Sequence, residues 1–412
     1  MIPAMKPFDS RTLAQGTLAF IGLVVASVAV VTVSGAPAEQ AQPAMPWTLV
    51  EHTVATDLRG AYDVVVADMN HDGKQDLLAV AGGTQSLIWF ENPSWTRHVI
   101  ASGIQGLINA AAFDIDKDGI PEIAAASGFA TEPAKSSGVL TLYTHTSDPN
   151  APWTAKEFDK TPAAHRLRWI EPEGNGKGML INAPLAGLKA TAPDYKDQNA
   201  VYFYDPSDWK RQTVTDAEQG VMHGLFVTDW DGKKRESLVT ASFMGVFLHR
   251  YANGKWTRTQ LSAGSTEAWP NGGAGDVVTV RTKAGRMLAA IEPFHGNTAP
   301  YQDISLAVYT GQGEKWSGRT VIDATLNYGH TLVAADLDGD GVDELIAGYR
   351  GKPNGVNIYR LNADKTWTKS VLESNAMPGS GCRAADFNND KRMDLTCTGG
   401  TMLKWYENQP AK

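Results

Sequence analysis

From Tyr62 onward the chain repeats one alternation of apolar and polar stretches. An apolar run, YDVVVA, meets an acidic turn, DMNHDGKQD, and a second apolar run, LLAVAGG. An aromatic segment, SLIWFEN, comes next, and then a polar-apolar segment opening on tryptophan, WTRHVI. Short apolar runs bounded by Gly, Asn and Asp, without helical periodicity, predict β-strands joined by tight turns. The acidic segment recurs as DIDKDGIPEIAAASG from Asp114, DLDGDGVDELIAGYR from Asp336 and DFNNDKRMDLTCTGG from Asp386, and three degenerate copies fill the gaps: RWIEPEGNGKGMLINAP, FVTDWDGKKRESLVTAS and VVTVRTKAGRMLAAIEP. Seven units result. Seven tryptophans, Trp47, Trp95, Trp153, Trp209, Trp256, Trp316 and Trp367, each open a polar-apolar strand and give the same count.

The first of these strands, WTLVEHTV, precedes the first complete unit, whereas the last unit stops at its third strand, MLKWYEN. The N-terminal strand is therefore expected to complete the last unit. This predicts an all-β ring, a seven-bladed β-propeller of four-stranded blades, with no open sheet edge between the termini. The repeated [DN]x[DN]xDGxxD/E turn between two strands resembles the FG-GAP or VCBS repeats of integrin-α-like propellers and of many secreted bacterial proteins. The resemblance covers nearly all of residues 47–410 and implies the same propeller fold; it says little about function.

Ahead of the ring, Lys6 and Arg11 precede the apolar run LAFIGLVVASVAVVTV, which ends at Ser34-Gly35-Ala36 and a Pro-containing polar stretch. Residues 1–36 read as a secretory signal, with an uncleaved membrane anchor as the alternative, and 37–46 as a linker. A secreted or periplasmic chain follows, touching a membrane only through such an anchor. The formal charge of −8 offers no footprint for nucleic acid or anionic lipid. The only cysteines, Cys382 and Cys397, fall on adjacent predicted strands of one hairpin. A cross-strand disulfide is expected in an oxidising compartment, against two buried thiols.

Oxygen ligands at alternate turn positions suit calcium, and the turns lack both the flanking helices and the position-twelve Glu of an EF-hand. About four Ca2+ sites are expected. Their ligands would be Asp68, Asn70, Asp72 and Asp76; Asp114, Asp116, Asp118 and Glu122; Asp336, Asp338, Asp340 and Glu344; and Asp386, Asn388, Asp390 and Asp394. The expected role is structural: each ion pins one hairpin and neutralises clustered carboxylates.

Six residues before the first acidic position, the units carry Tyr62, Ile108, His165, His223, His330 and Ser380, with Gly275 near the place in the fifth. Three of the nine histidines thus share one repeat position. In a propeller this position begins the innermost strand, so His165, His223 and His330 should meet at the channel mouth, away from the acidic turns. They suit either a divalent transition-metal centre, such as Zn2+, or acid/base chemistry without metal. Long loops around the same face add Glu292 and His295 as candidate bases, and Tyr62, Asn109, Arg166, Trp269, Asn271, Tyr328, Tyr349 and Arg350 as candidate substrate contacts. The combination resembles the propeller domain of the aldos-2-ulose dehydratase family and related carbohydrate lyases. That implies elimination from a sugar or keto-sugar: a metal on the three histidines polarises a carbonyl and Glu292 or His295 removes the neighbouring proton. A non-catalytic glycan- or protein-binding propeller is the alternative, with Trp269 and Tyr349 dominating.

Overall fold

The computed structural model describes residues 45–296 and 303–411. The expected signal or anchor and most of the linker lie outside the described residues, as do residues 297–302 of the loop that follows His295. The described chain forms seven four-stranded antiparallel sheets, plus a ribbon of Ser265–Thr266 with Gly272–Gly273. The blades start at innermost strands Ala61–Ala67, Asn109–Phe113, Ala164–Ile170, Met222–Thr228, Asp276–Thr282, Gly329–Ala335 and Gly381–Ala385.

Burial follows position in the blade, as the sequence pattern requires. Second strands such as Asp76–Ala81 are buried throughout, because neighbouring blades cover both faces. Outer strands such as Thr96–Ser102 are largely exposed and accordingly polar. The core is divided among the interfaces between blades. Val80, Trp89, Ile123 and Tyr143 pack between the first two blades, and Ile291, Leu306, Leu345 and Tyr359 between the fifth and sixth.

The ring closes as expected. Trp47–Ala55 pairs with Met402–Pro410 as the outer strand of the seventh blade, with Trp47 opposite Pro410. Cys382 and Cys397 sit directly opposite each other on the two inner strands of that blade and are joined by a disulfide. The covalent link thus lies in the blade whose fourth strand comes from the other end of the ring.

Candidate functional site

The histidine position is a β-bulge. In four blades the ladder between the first two strands skips one residue, and the residues skipped are Tyr62, His165, His223 and His330. A bulge re-aims the extra side chain. Here all four meet at the channel: the Tyr62 hydroxyl lies 2.9 Å from His165 Nε2 and 3.1 Å from His330 Nε2, and the His223 and His330 rings are 5.1 Å apart. The first two strands of the second, fifth and seventh blades pair without a bulge. Two of these blades provide carbonyls in place of side chains: Gly275 O accepts from His223 Nδ1 at 2.9 Å, and Ser380 O from His330 Nδ1 at 2.6 Å.

His295 comes from the loop after the fifth blade's second strand. Its ring lies 5.1 Å from that of His330 and 5.0 Å from that of His223, and its Nδ1 is 2.5 Å from Gly296 O. A carbonyl only accepts, so His223, His295 and His330 each carry their proton on Nδ1 and keep Nε2 bare. The resulting roles are mutually consistent. Tyr62 donates to His330 Nε2 and accepts from His165 Nε2, leaving His165 Nδ1 bare and unpartnered. Arg166 Nη2 donates to His223 Nε2 at 3.2 Å, while His295 Nε2 is buried with no partner among the described residues.

Three imidazoles with Nδ1–H fixed on backbone carbonyls are in the tautomer that a metal needs. One ligand atom from each of His223, His295 and His330 falls within 4.8 Å of the others. The tightest trio therefore exchanges His165 for His295, and His165 becomes the partner of Tyr62. Burial, reinforced by Arg166, Arg350 and the neighbouring imidazoles, holds His165, His223 and His330 far below the usual histidine range. Burial likewise pushes His295 down to about 3. All four are neutral at neutral pH, which suits metal ligation or proton acceptance.

Other expected members also gather here. Arg166 and Arg350 lie over the Tyr62 ring, with guanidinium carbons 5.3 and 5.5 Å from its centroid. Tyr328 packs 4.0 Å from the His295 ring. Directly below is a cavity of about 260 Å3, lined by His330 and Arg166 and by Asp63, Arg168, Asp276 and Arg383. These last four were not singled out in the sequence, yet they stand one or three residues after the repeat position that carries the histidines. Gly224 and Gly381 share the position of the two carboxylates, and a Cβ on either would sit 2.9 Å from the Cα of Asp276 or Asp63.

Five expected site residues do not touch the histidine cluster. Glu292 is no base near the histidines: it accepts from Tyr309 Oη at 2.5 Å and Arg319 Nε at 2.6 Å, inside its own blade. Comparable clusters recur as Asp159 with Tyr204 and Arg211, and Glu373 with Tyr406 and Lys404. The role is architectural. Glu292→Ala is expected to cost about 2 kcal/mol, because the buried Tyr309 hydroxyl loses its charged acceptor and keeps only Ser262, while the half-exposed Arg319 can turn to water; an unchanged denaturation midpoint would contradict this. Asn109 is fully buried and stitches blades together, donating to Asp63 and accepting from Leu167 N. Tyr349 packs against the core between the fifth and sixth blades. Trp269 stands two rings away from the cluster: it packs on Phe243, which packs on Phe294 beside His223, and it is 37% exposed and donates to Asp194 O, with Asn271 in the same loop.

The acidic turns lie at the far ends of the same strands. Their position-nine carboxylates, Asp76, Glu122, Glu344 and Asp394, are buried and accept the N–H of Met69, Ile115, Leu337 and Phe387 at 2.8–2.9 Å. Oxygens of Asp114, Asp116 and Glu122, and of Asp336, Asp338 and Glu344, converge within 4.8 Å. The turns differ in charge. Where Asp338 stands at position three, Arg360 reaches it at 2.8 Å; where Asn70 and Asn388 stand there, the same third-strand position holds Glu91 and Glu407, which accept from those amides.

The fold and its turns define a seven-bladed propeller built on FG-GAP-like repeats, and residues 68–125 and 336–397 match the FG-GAP-like repeat model. Residues 138–312, which carry His165, His223 and His295, match the model of the aldos-2-ulose dehydratase β-propeller domain. The chain is 28% identical to aldos-2-ulose dehydratase of Phanerodontia chrysosporium over 287 residues, 62% of this chain and 31% of that protein. It thus spans about a third of that relative's length. Among solved structures, BBS1N in complex with ARL6DN shares the fold at TM-score 0.54, with 13% identity over 89% of this chain and 97% of that one. The Dos1 propeller aligns at TM-score 0.49 and 9% identity, over 84% of this chain and 78% of the other.

Proposed function

We propose that the chain is a carbohydrate lyase of the dehydratase type, acting on a sugar or keto-sugar at the histidine cluster. The observation that carries this reading is the set of three buried Nδ1–H-fixed imidazoles, His223, His295 and His330, beside the Tyr62–His165 pair. The ligand set fits a divalent transition metal such as Zn2+: all three donors are neutral nitrogens, and the His295 lone pair is buried and otherwise orphaned. A metal bound there would supply Lewis acidity towards a substrate carbonyl.

The chain's own groups carry the proton chemistry. An ion held by the three Nε2 lone pairs would free Tyr62 and Arg166 from His330 and His223. The Tyr62 hydroxyl then remains paired with His165, whose imidazole is neutral and able to take the proton α to the carbonyl. The Tyr62 hydroxyl gives its proton to the departing β-hydroxyl and is refilled from His165 Nε2, so the substrate loses one water and gains a C=C conjugated to the carbonyl, and His165 returns to neutral. Arg166 stands where negative charge develops on the carbonyl oxygen, and the surrounding aromatic rings Phe129, Phe294 and Tyr328 limit water.

At the acidic turns we propose structural Ca2+, supported by their convergent carboxylates and preformed hydrogen bonds. The apolar N-terminus supports export to a secreted or periplasmic location. A second reading, a non-catalytic glycan-binding propeller, is favoured by the exposed indole of Trp269. The two are separated by incubating zinc-loaded full-length protein with D-arabino-hexos-2-ulose, an aldos-2-ulose of the class named for the relative. Enzymatic turnover produces the ultraviolet band of a conjugated enone. If a panel of hexosuloses, keto-sugars and uronates bound without any member developing such a band, the catalytic reading would fail.

A further inference from the structure

The charge at the channel is unbalanced. Arg166, Arg168, Arg350 and Arg383 stand at the histidine cluster or in the cavity beneath it, against two carboxylates among the described residues, Asp63 and Asp276. Arg383 is committed to Asp63 at 2.8 Å, and Arg168 stands 3.9 Å from the same carboxylate. Asp276 accepts from the backbone N–H of Val277 and Leu332, both at 3.0 Å, and lies in no ion pair among the described residues. Arg166, only 7% exposed, feels Asp276 and Asp63 from beyond ion-pair distance, and half-buried Arg350 has no carboxylate within that distance among the described residues. The imidazoles beside them are neutral and offset nothing. A divalent ion on His223, His295 and His330 would add two further positive charges.

Desolvating a guanidinium without a counter-ion costs several kcal/mol. Natural sites keep such a group where a ligand brings the missing charge. Both unpaired guanidiniums lie within 5.5 Å of the centroid of the Tyr62 ring, so one small molecule beside Tyr62 can meet both. The geometry points to a substrate that carries a carboxylate: a sugar acid, aldonate or uronate, held by Arg166 and Arg350 beside the histidine centre. This rests on the reading of the cluster as a sugar site and narrows its substrate class. A neutral sugar would leave both cations unpaired, whereas a carboxylate presents the two in-plane oxygens that a guanidinium fork matches.

The test is calorimetric titration of zinc-loaded full-length protein, and of its Arg350→Gln variant, with D-gluconate, D-glucuronate and D-glucose. At least one acid is expected to bind at least about tenfold more tightly than glucose, the size of one charge-assisted hydrogen bond. Arg350→Gln is expected to remove most of that preference while keeping the wild-type metal content, which separates recognition by the guanidinium from direct ligation of the ion. Equal binding of acid and neutral sugar, or a preference untouched in the variant, would overturn the sugar-acid assignment and leave the sugar site standing. No binding of any probe at millimolar concentration would overturn both. Selective acid binding by protein that takes up no zinc would keep this assignment and remove the metal from the site.

Discussion

His295→Ala is expected to abolish turnover, by at least about a thousandfold, with the propeller intact. The side chain is buried against Tyr328 and Phe294, so its removal costs packing, but its Nε2 has no partner among the described residues and no buried polar group is stranded except Gly296 O, so the ring of blades stays folded. The proposed centre loses a third of its ligands. His165→Ala is expected to slow turnover as well, for a different reason: the Tyr62 hydroxyl loses its donor and the substrate proton its acceptor, whereas the trio of His223, His295 and His330 remains. The two variants therefore part in metal retention. A His295→Ala protein with full turnover would remove the histidine trio from the mechanism altogether.

The second large effect lies at the other face. Excess calcium chelator is expected to lower the melting temperature at pH 7.5 by about 10 °C, since each site held near a hundredfold above its Kd contributes about 2.7 kcal/mol. Burial, with nearby carboxylates adding to it, raises Asp76 to about 7, Glu344 to about 8 and Asp394 to about 6. These pKa values exceed those of the unfolded chain, so the calcium-free folded protein binds more protons than the unfolded one between about pH 4 and 8. Its stability falls as pH rises through that window, and calcium, which favours the ionised form, flattens the slope. Differential scanning calorimetry from pH 5 to 8, with and without chelator, reads both effects. A melting temperature indifferent to chelator at every pH would contradict calcium in the turns. Arg360 already stands on Asp338, so the turn of the sixth blade should release its ion first.

Much of this was legible in the chain because the repeat carries geometry. The distance from bulge to acidic turn is set by the inner strand, so counting back six residues found Tyr62, His165, His223 and His330. The same count extended forward would have found the channel charges, with Asp63 and Asp276 one residue on and Arg168 and Arg383 three residues on. What the repeat could not supply was loop geometry. His295 lies outside the repeated strands, and only the folded loop after the second strand of the fifth blade brings its ring to His223 and His330. Glu292, three residues earlier, looked similar in sequence, but its strand directs the carboxylate to Tyr309 and Arg319. A carboxylate near a histidine in sequence carries no information about which side of a sheet it faces until the register is known.

The charge of the site was equally hidden. Arginines in loops are common, and nothing in the sequence marks which of them lack a carboxylate. Pairing is a property of the assembled ring: Arg383 meets Asp63 across 320 positions of chain, while Arg350 lies over the Tyr62 and Tyr328 rings with no ion pair among the described residues. The balance of four guanidiniums against two carboxylates appears only once the blades are stacked.

The measurement that bears most directly on the central claim is elemental analysis of untagged full-length protein, washed with a mild calcium chelator, alongside His295→Ala and His165→Ala. The account predicts about one transition-metal ion per chain in the wild type and in His165→Ala, and none in His295→Ala. A wild type holding only calcium, or a metal lost with His165 and kept without His295, would contradict it.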